Sequence, residues 1–342
     1  NKTYGHRSVV LKKMPLLKHV NVGVVFKTFA TALEDYFNLC ISNSQDPVLD
    51  MYPEGYNLYE NGAWDKIVQT AKEKNINIDN ITIEICDYQA NYPCKIVYRK
   101  PYWLDLIKRS NVDWATEYVA QPEKLFGHFI GRPSWDRVVL HDKVKSTNNC
   151  LHTFWTGAGK PPFTDYTIKK LKEFYSEQDA EKYKQILLSA PHNNIRVKHF
   201  RKGVLLQFPE NVLGIKHHYD NIFVDIVSET ETANNTTFIT EKTIRPMLFK
   251  KPFVIMAGQG HLGLLHKLGF KTFNKWWNED YDNMHGVDRV NAICKVIDSI
   301  DSRQEKMYNF IEEMKDVIEH NHSHCVKQGW HKHRATLGIK NE

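Results

Sequence analysis

The stretch from residue 221 to 260 constrains this chain most. Residues 221–227, interrupted only by Asp225 after the leading Asn221, and residues 252–256 are predominantly apolar, and each is bounded by turn-forming or polar residues. Runs of this length and kind read as strands buried on both faces, which is the pattern of a parallel sheet. Between them, Thr240 precedes a segment, 241–249, with helical spacing. A Thr at that position is a helix N-cap, because its side-chain oxygen can accept from an otherwise unpaired N–H of the first turn. Strand, helix and strand in this order define an α/β unit.

That unit also suggests where a ligand would sit. Ligands of open α/β sheets bind beyond the carboxyl ends of the strands. Here the first strand runs into the acidic sequence Ser228-Glu229-Thr230-Glu231, and the helix opens with Thr240-Glu241-Lys242. A helix N-terminus presents unpaired N–H groups and a partial positive charge, and both favour a phosphate. Lys242 adds a full charge, and Glu241 can accept hydrogen bonds from sugar hydroxyls. The plainer reading makes Thr240 an ordinary cap, Glu241 a dipole-matched residue and Lys242 a surface charge.

The rest of the chain extends the α/β pattern. Apolar runs at 20–26 and 81–85 and a mixed one at 94–98 alternate with helical segments at 28–40 and 63–74. A second start follows at 125–130: a strand, the turn Gly131-Arg132-Pro133-Ser134, and helical spacing over 135–144. We therefore expect two domains, 1–124 and 125–342, with 145–217 as an insertion in the second. Within that insertion, 165–188 reads as a charged helix or helix pair and 195–208 as strand-like alternation. The tail, 287–319, reads as a long helix broken near 298–302.

Composition sets the outer limits. The 342 residues suffice for two cores. No run of about 18 apolar residues occurs, and the polar, basic N-terminus lacks a signal-peptide core, so a cytoplasmic protein without a membrane span is expected. The chain begins with Asn rather than Met. Six cysteines without a CxxC pair fit a reducing compartment. The net charge of +6, from 46 basic and 40 acidic residues, suits an anionic ligand. It permits a nucleic-acid partner without favouring one.

The run Phe238-Ile239-Thr240-Glu241-Lys242 resembles the Tyr/Phe-Val-Thr-Glu-Lys signature of family 10 glycosyltransferases, the α1,3-fucosyltransferase family. The strand end at 228–231 and the strand at 251–258 are similar to the family's flanking elements, and Arg137 matches by position the family's Arg on the first helix of the C-terminal domain. Ser-Glu-Thr-Glu stands where the family usually has Glu-Asn. The resemblance covers roughly 125–145 and 221–285. It implies a GT-B-like fold of two Rossmann-like domains facing a cleft, with a nucleotide-sugar donor, GDP-sugar ahead of UDP-sugar, and a glycan acceptor. It also implies inversion at the anomeric carbon with no required metal or other cofactor. The donor-site residues would be Arg137, Glu229, Glu231, Thr240, Glu241 and Lys242. Glu117 and Asp113, just before the domain boundary, are base candidates by position. The stretch 268–282 resembles a pattern of viral and bacterial glycosyltransferase-like proteins and is expected either to close the donor site or to pack as an aromatic-rich loop on the long helix. The alternatives are a glycosyltransferase acting on modified DNA bases, which the basic stretch 195–202 allows, and a non-catalytic nucleotide-sugar-binding module.

Other signals carry less. His320, His322, His324, Cys325, His331 and His333 lack zinc-finger spacing and read as a solvated terminal segment. Asp280-Tyr281-Asp282 matches a three-residue metal motif that is common by chance. Gly157-Ala158-Gly159-Lys160 lacks the P-loop spacing. His217-His218 reads as a loop before a strand.

Overall fold

The computed structural model describes residues 8–11, 20–21, 26–50, 58–59, 62–116, 122–131, 133–154, 162–195, 200–201, 204–205, 208–230, 232 and 236–339. The chain forms two compact units. One comprises Asn1–Tyr102 with Asn235–Phe238 and Arg334–Glu342, and the other Trp103–Asn234 with Ile239–His333. The first unit's main stretch thus ends at Tyr102 rather than near 124, while the second unit's sheet begins at Lys124.

The first unit is built from β1 (Ser8–Leu11), β2 (Val20–Asn21), α1 (Phe26–Ser42), β3 (Val48–Asp50), α2 (Ala63–Glu73), β4 (Thr82–Ile85) and β5 (Lys95–Tyr98). Its strands lie in the order β2-β1-β3-β4-β5. β3, β4 and β5 are parallel, and β1 runs antiparallel to both neighbours. Ala63, Trp64, Ile67 and Ala71 recur at helical spacing on α2 and are buried with Phe37, Ile83 and Ile85 in one core.

The second unit opens with α3 (Tyr102–Arg109), β6 (Lys124–Ile130), α4 (Trp135–Ser146) and β7 (Cys150–Phe154). The helices α5 (Pro162–Phe174) and α6 (Glu177–Leu188) follow, with the short strands β8 (His192–Asn193), β9 (Phe200–Arg201) and β10 (Val204–Leu205). Next come α7 (Glu210–Leu213), α8 (Lys216–Tyr219), β11 (Ile222–Ser228), α9 (Glu241–Leu248), β12 (Phe253–Met256) and α10 (His261–Lys267). The tail is α11 (Gly286–Asp301), α12 (Gln304–Asn309) and α13 (Ile311–Val326), so the long helix does break after residue 301.

The sheet order is β12-β11-β6-β7-β8, with the first four strands parallel and β8 antiparallel at the edge. From β6 the chain adds β7 on one side, and later β11 and β12 on the other. The direction of winding reverses between β6 and β11, and that is where doubly wound sheets open a crevice at their carboxyl ends. All of β11 is buried, Asp225 and Ser228 included, as befits an inner strand of a largely parallel sheet. Residues 145–217 are therefore not an insertion throughout. β7 pairs with β6 from Phe126↔Cys150 to Ile130↔Phe154 and is an integral strand. Its sequence hides this because His152 and Thr153 are polar yet buried.

His152 belongs to a group of four neighbouring imidazoles. The His141 ring on α4 lies 6.3 Å from His128, 5.0 Å from His152 and 5.8 Å from His192, centroid to centroid. Neither His141 ring nitrogen has a hydrogen-bond partner among the described residues. Burial, reinforced by neighbouring histidines and cations, pushes His141 down to about 2, His128 to about 3 and His152 to about 4. An imidazole whose folded pKa lies below its ordinary ~6.5 takes up a proton first in the unfolded chain. Its contribution to stability is then full above about pH 6.5 and is lost as pH falls toward the folded value. Asp225 and Glu279, each raised by burial to about 7, act in the opposite sense, because the folded state holds their protons. A single variant isolates one imidazole from this sum. Urea unfolding should show the stability of His141→Leu, relative to wild type, improving by about 2 kcal/mol between pH 8 and pH 5. An identical difference at both pH values would mean that His141 is not held neutral.

Candidate functional site

The carboxyl ends of β6 and β11 are organised by the turn at residues 228–230. Arg137, in the first turn of α4, is buried. Its Nη2 donates to the Ser228 carbonyl at 3.3 Å and to the Glu229 carbonyl. His128 Nε2 lies 3.1 Å from Ser228 Oγ. The cation expected from its position in the chain thus reaches the end of β11.

Glu229 is turned inward and is 1% exposed. Its carboxylate accepts five hydrogen bonds: from the N–H groups of Thr230, Thr240 and Thr243, and from the hydroxyls of Thr240 and Thr243. The Thr240 hydroxyl, 2.5 Å from Glu229, also accepts from Lys242 N at 3.2 Å. The expectation that this helix end leaves its N–H groups open to a phosphate is corrected here, since Lys242 N and Thr243 N are already taken. The cause is local. α9 has eight residues with Pro246 inside, too short to hold its shape unaided, and the carboxylate at the end of β11 supplies the capping anion. Glu229 therefore holds α9 in place, with both oxygens committed to the protein. His261 Nε2 lies 3.2 Å from Thr243 Oγ1, which ties α10 into the same network.

What α9 offers outward is a cluster of charged side chains. Lys242 Nζ lies 2.9 Å from both Thr230 Oγ1 and Glu241 Oε1, and Arg245 Nη2 lies 3.9 Å from the same Glu241 oxygen. Burial alone would raise the Glu241 carboxyl, but Lys242 and Arg245 outweigh it and hold it at about 2. Two cations face one carboxylate, leaving one excess positive charge at a partly exposed helix end. Arg137 and Lys242 hold successive residues of the same turn, Glu229 and Thr230. Arg245 was not singled out in the sequence, although its i,i+4 spacing from Glu241 signals the pairing. Behind the cluster, Tyr219 donates to the buried Asp225 at 2.6 Å.

Asp113 is exposed after α3, and its carboxylate accepts from Ala115 N at 3.0 Å. Glu117 and Glu231 lie outside the described residues, as does most of the basic stretch 195–202. Asp282 is committed to structure: its oxygens accept from Leu262 N and Gly263 N at the start of α10, and it pairs with the buried Arg289 at 3.2 Å. The C-terminal histidines are not a solvated segment. His320 and His324 lie 2.9 and 2.7 Å from the Gly269 and Leu268 carbonyls, closing the end of α10, and His322 lies 2.9 Å from the Leu248 carbonyl at the end of α9. Carbonyls left open by helix ends give these imidazoles their place. The pair His217-His218 falls inside the short helix α8, not in a loop. Among the described residues no group of three or more His, Cys, Asp or Glu is arranged to hold a metal ion, and no helix is long and apolar enough to cross a membrane.

The site thus belongs to an α/β unit with a parallel sheet and a cationic cluster beyond its strand ends. No family model, curated protein or solved structure matches the chain.

Proposed function

We propose that the protein is a glycosyltransferase of the GT-B kind that takes its sugar from a nucleotide-sugar donor, a GDP-sugar ahead of a UDP-sugar, and passes it to a glycan hydroxyl. The observation that carries this reading is the convergence of Arg137 and Lys242 on the turn that ends β11, with Arg245 and Glu241 beside them. In this reading the second unit is the donor half. Lys242 and Arg137 neutralise the diphosphate as it departs, which is where fixed cations act most strongly. Glu241, ionised and flanked by two cations, accepts from a hydroxyl of the donor sugar. The phosphate is held by side chains, because Glu229 has filled the backbone end of α9. A carboxylate takes the proton of the acceptor hydroxyl in a direct, inverting displacement, and Asp113 and Glu117 stay the candidates by position alone.

A screen of GDP- and UDP-sugars for slow donor hydrolysis tests the activity. Hydrolysis is expected to persist in chelator, since side-chain cations meet the diphosphate charge and Asp282 is already engaged by α10 and Arg289. Activity lost on chelation and restored by manganese would instead bring Asp280 into the site.

A further inference from the structure

On the second unit, apart from the turn at 228–230, α10, the segment 274–282 and the end of α11 line an open pocket of about 740 Å³. Small-ligand sites usually span about 300–1,000 Å³. Trp276 and Trp277 line it and are 8% and 4% exposed. Both indole N–H groups are buried without an acceptor among the described residues, a rare condition for a buried donor. Trp277 is fixed by stacking on Phe273, ring centroids 5.3 Å apart.

The rim is polar and pre-arranged. Asn278 Nδ2 donates to Asp280 Oδ2 at 2.9 Å, and Asp280 N donates to Asn278 Oδ1 at 2.6 Å, so an amide and a carboxylate stand side by side and exposed. Arg303 is anchored through Nε and Nη2 to Ser299 and the Trp276 carbonyl, while its Nη1 makes no hydrogen bond among the described residues. The cations do not form an anion site. Lys275 sits 5.3 Å from the Trp276 centroid and 3.5 Å from Glu313, and the carboxylates of Asp280 and Asp282 also line the pocket.

We infer that this pocket binds a hydroxyl-rich, uncharged ligand of one or two sugar rings. The few exposed indole carbons of Trp276 and Trp277 give a sugar's C–H groups an apolar floor, while a carboxylate, an amide and an anchored guanidinium supply acceptors and donors for adjacent hydroxyls. The site stands on its own geometry and does not depend on the transferase reading.

The test titrates wild type with glucose, galactose, N-acetylglucosamine and their disaccharides, following tryptophan fluorescence and calorimetry. At least one saccharide should saturate with a Kd of about millimolar or tighter. Asp280→Ala, on the exposed rim where folding is not at stake, should weaken it by about tenfold or more, as loss of a hydrogen bond to a charged group does. Affinity for GDP or UDP should be the same in this variant as in wild type. Absence of saturation by every saccharide, or equal affinity in Asp280→Ala, overturns the inference. So does displacement of the sugar by inorganic phosphate, which would make the pocket an anion site. Because the readout is saccharide binding, failure of donor binding at α9 leaves this result unaffected.

Discussion

Glu229→Ala should destabilise the second unit by about 3–5 kcal/mol, the scale seen when one partner of a buried charged network is removed. The carboxylate receives five hydrogen bonds, and its loss strands the N–H groups of Thr230, Thr240 and Thr243 in a buried setting. Each buried donor left unmet costs about 1–3 kcal/mol, partly relieved by rearrangement or water entry. α9 is short and carries Pro246, so it has little independent stability with which to absorb the loss. Thermal unfolding should show a drop on the order of 10 °C. Glu229→Gln should cost distinctly less, since one oxygen remains to accept from Thr243 and Thr240. Equal stability of Glu229→Ala and wild type would show that the carboxylate does not cap α9.

Lys242→Ala should cut kcat/KM by about ten- to two-hundred-fold, the equivalent of one charge-assisted hydrogen bond of about 1.5–3 kcal/mol. The loss should fall largely on kcat, because the departing diphosphate gains charge in the transition state and the ammonium answers that gain. Lys242 also touches Thr230 and Glu241, so the substitution carries a structural component. Arg245 still flanks Glu241 in the variant, 3.9 Å away, so the mostly buried carboxylate keeps a cation and that component stays below the loss expected for an unpaired buried charge. Lys242→Arg keeps the charge and should recover most of the stability and part of the turnover. A well-folded Lys242→Ala with unaltered kcat/KM would remove this residue from the chemistry.

The elements around this site were legible in the sequence to the extent that their signals are local. The runs that became β11 and β12 are predominantly apolar, and the Thr240 cap marks the start of α9 to the residue. The second start also fell where β6 and α4 form. What escaped depends on contacts distant in sequence. β7 is a five-residue strand with buried His and Thr, and only its partner β6 makes it a strand. The inward turn of Glu229 follows from how β11 ends against α9, eleven residues later, so its role could not be read from an acidic cluster. The histidines at 128, 141, 152 and 192 meet because four elements pack together, and no spacing announces it. The C-terminal histidines, dense in sequence, read as solvated because the carbonyls they close belong to α9 and α10.

We propose that α9 and the turn at 228–230 present cations to a nucleoside diphosphate. Calorimetric titration of GDP and UDP into wild type and Lys242→Ala, in chelator and at matched ionic strength, tests it most directly. Wild type should bind at least one of the two saturably, and Lys242→Ala should bind it about tenfold or more weakly while its melting temperature stays within a few degrees. Binding of equal strength in a folded Lys242→Ala, or no binding of either nucleotide to wild type, would contradict the account.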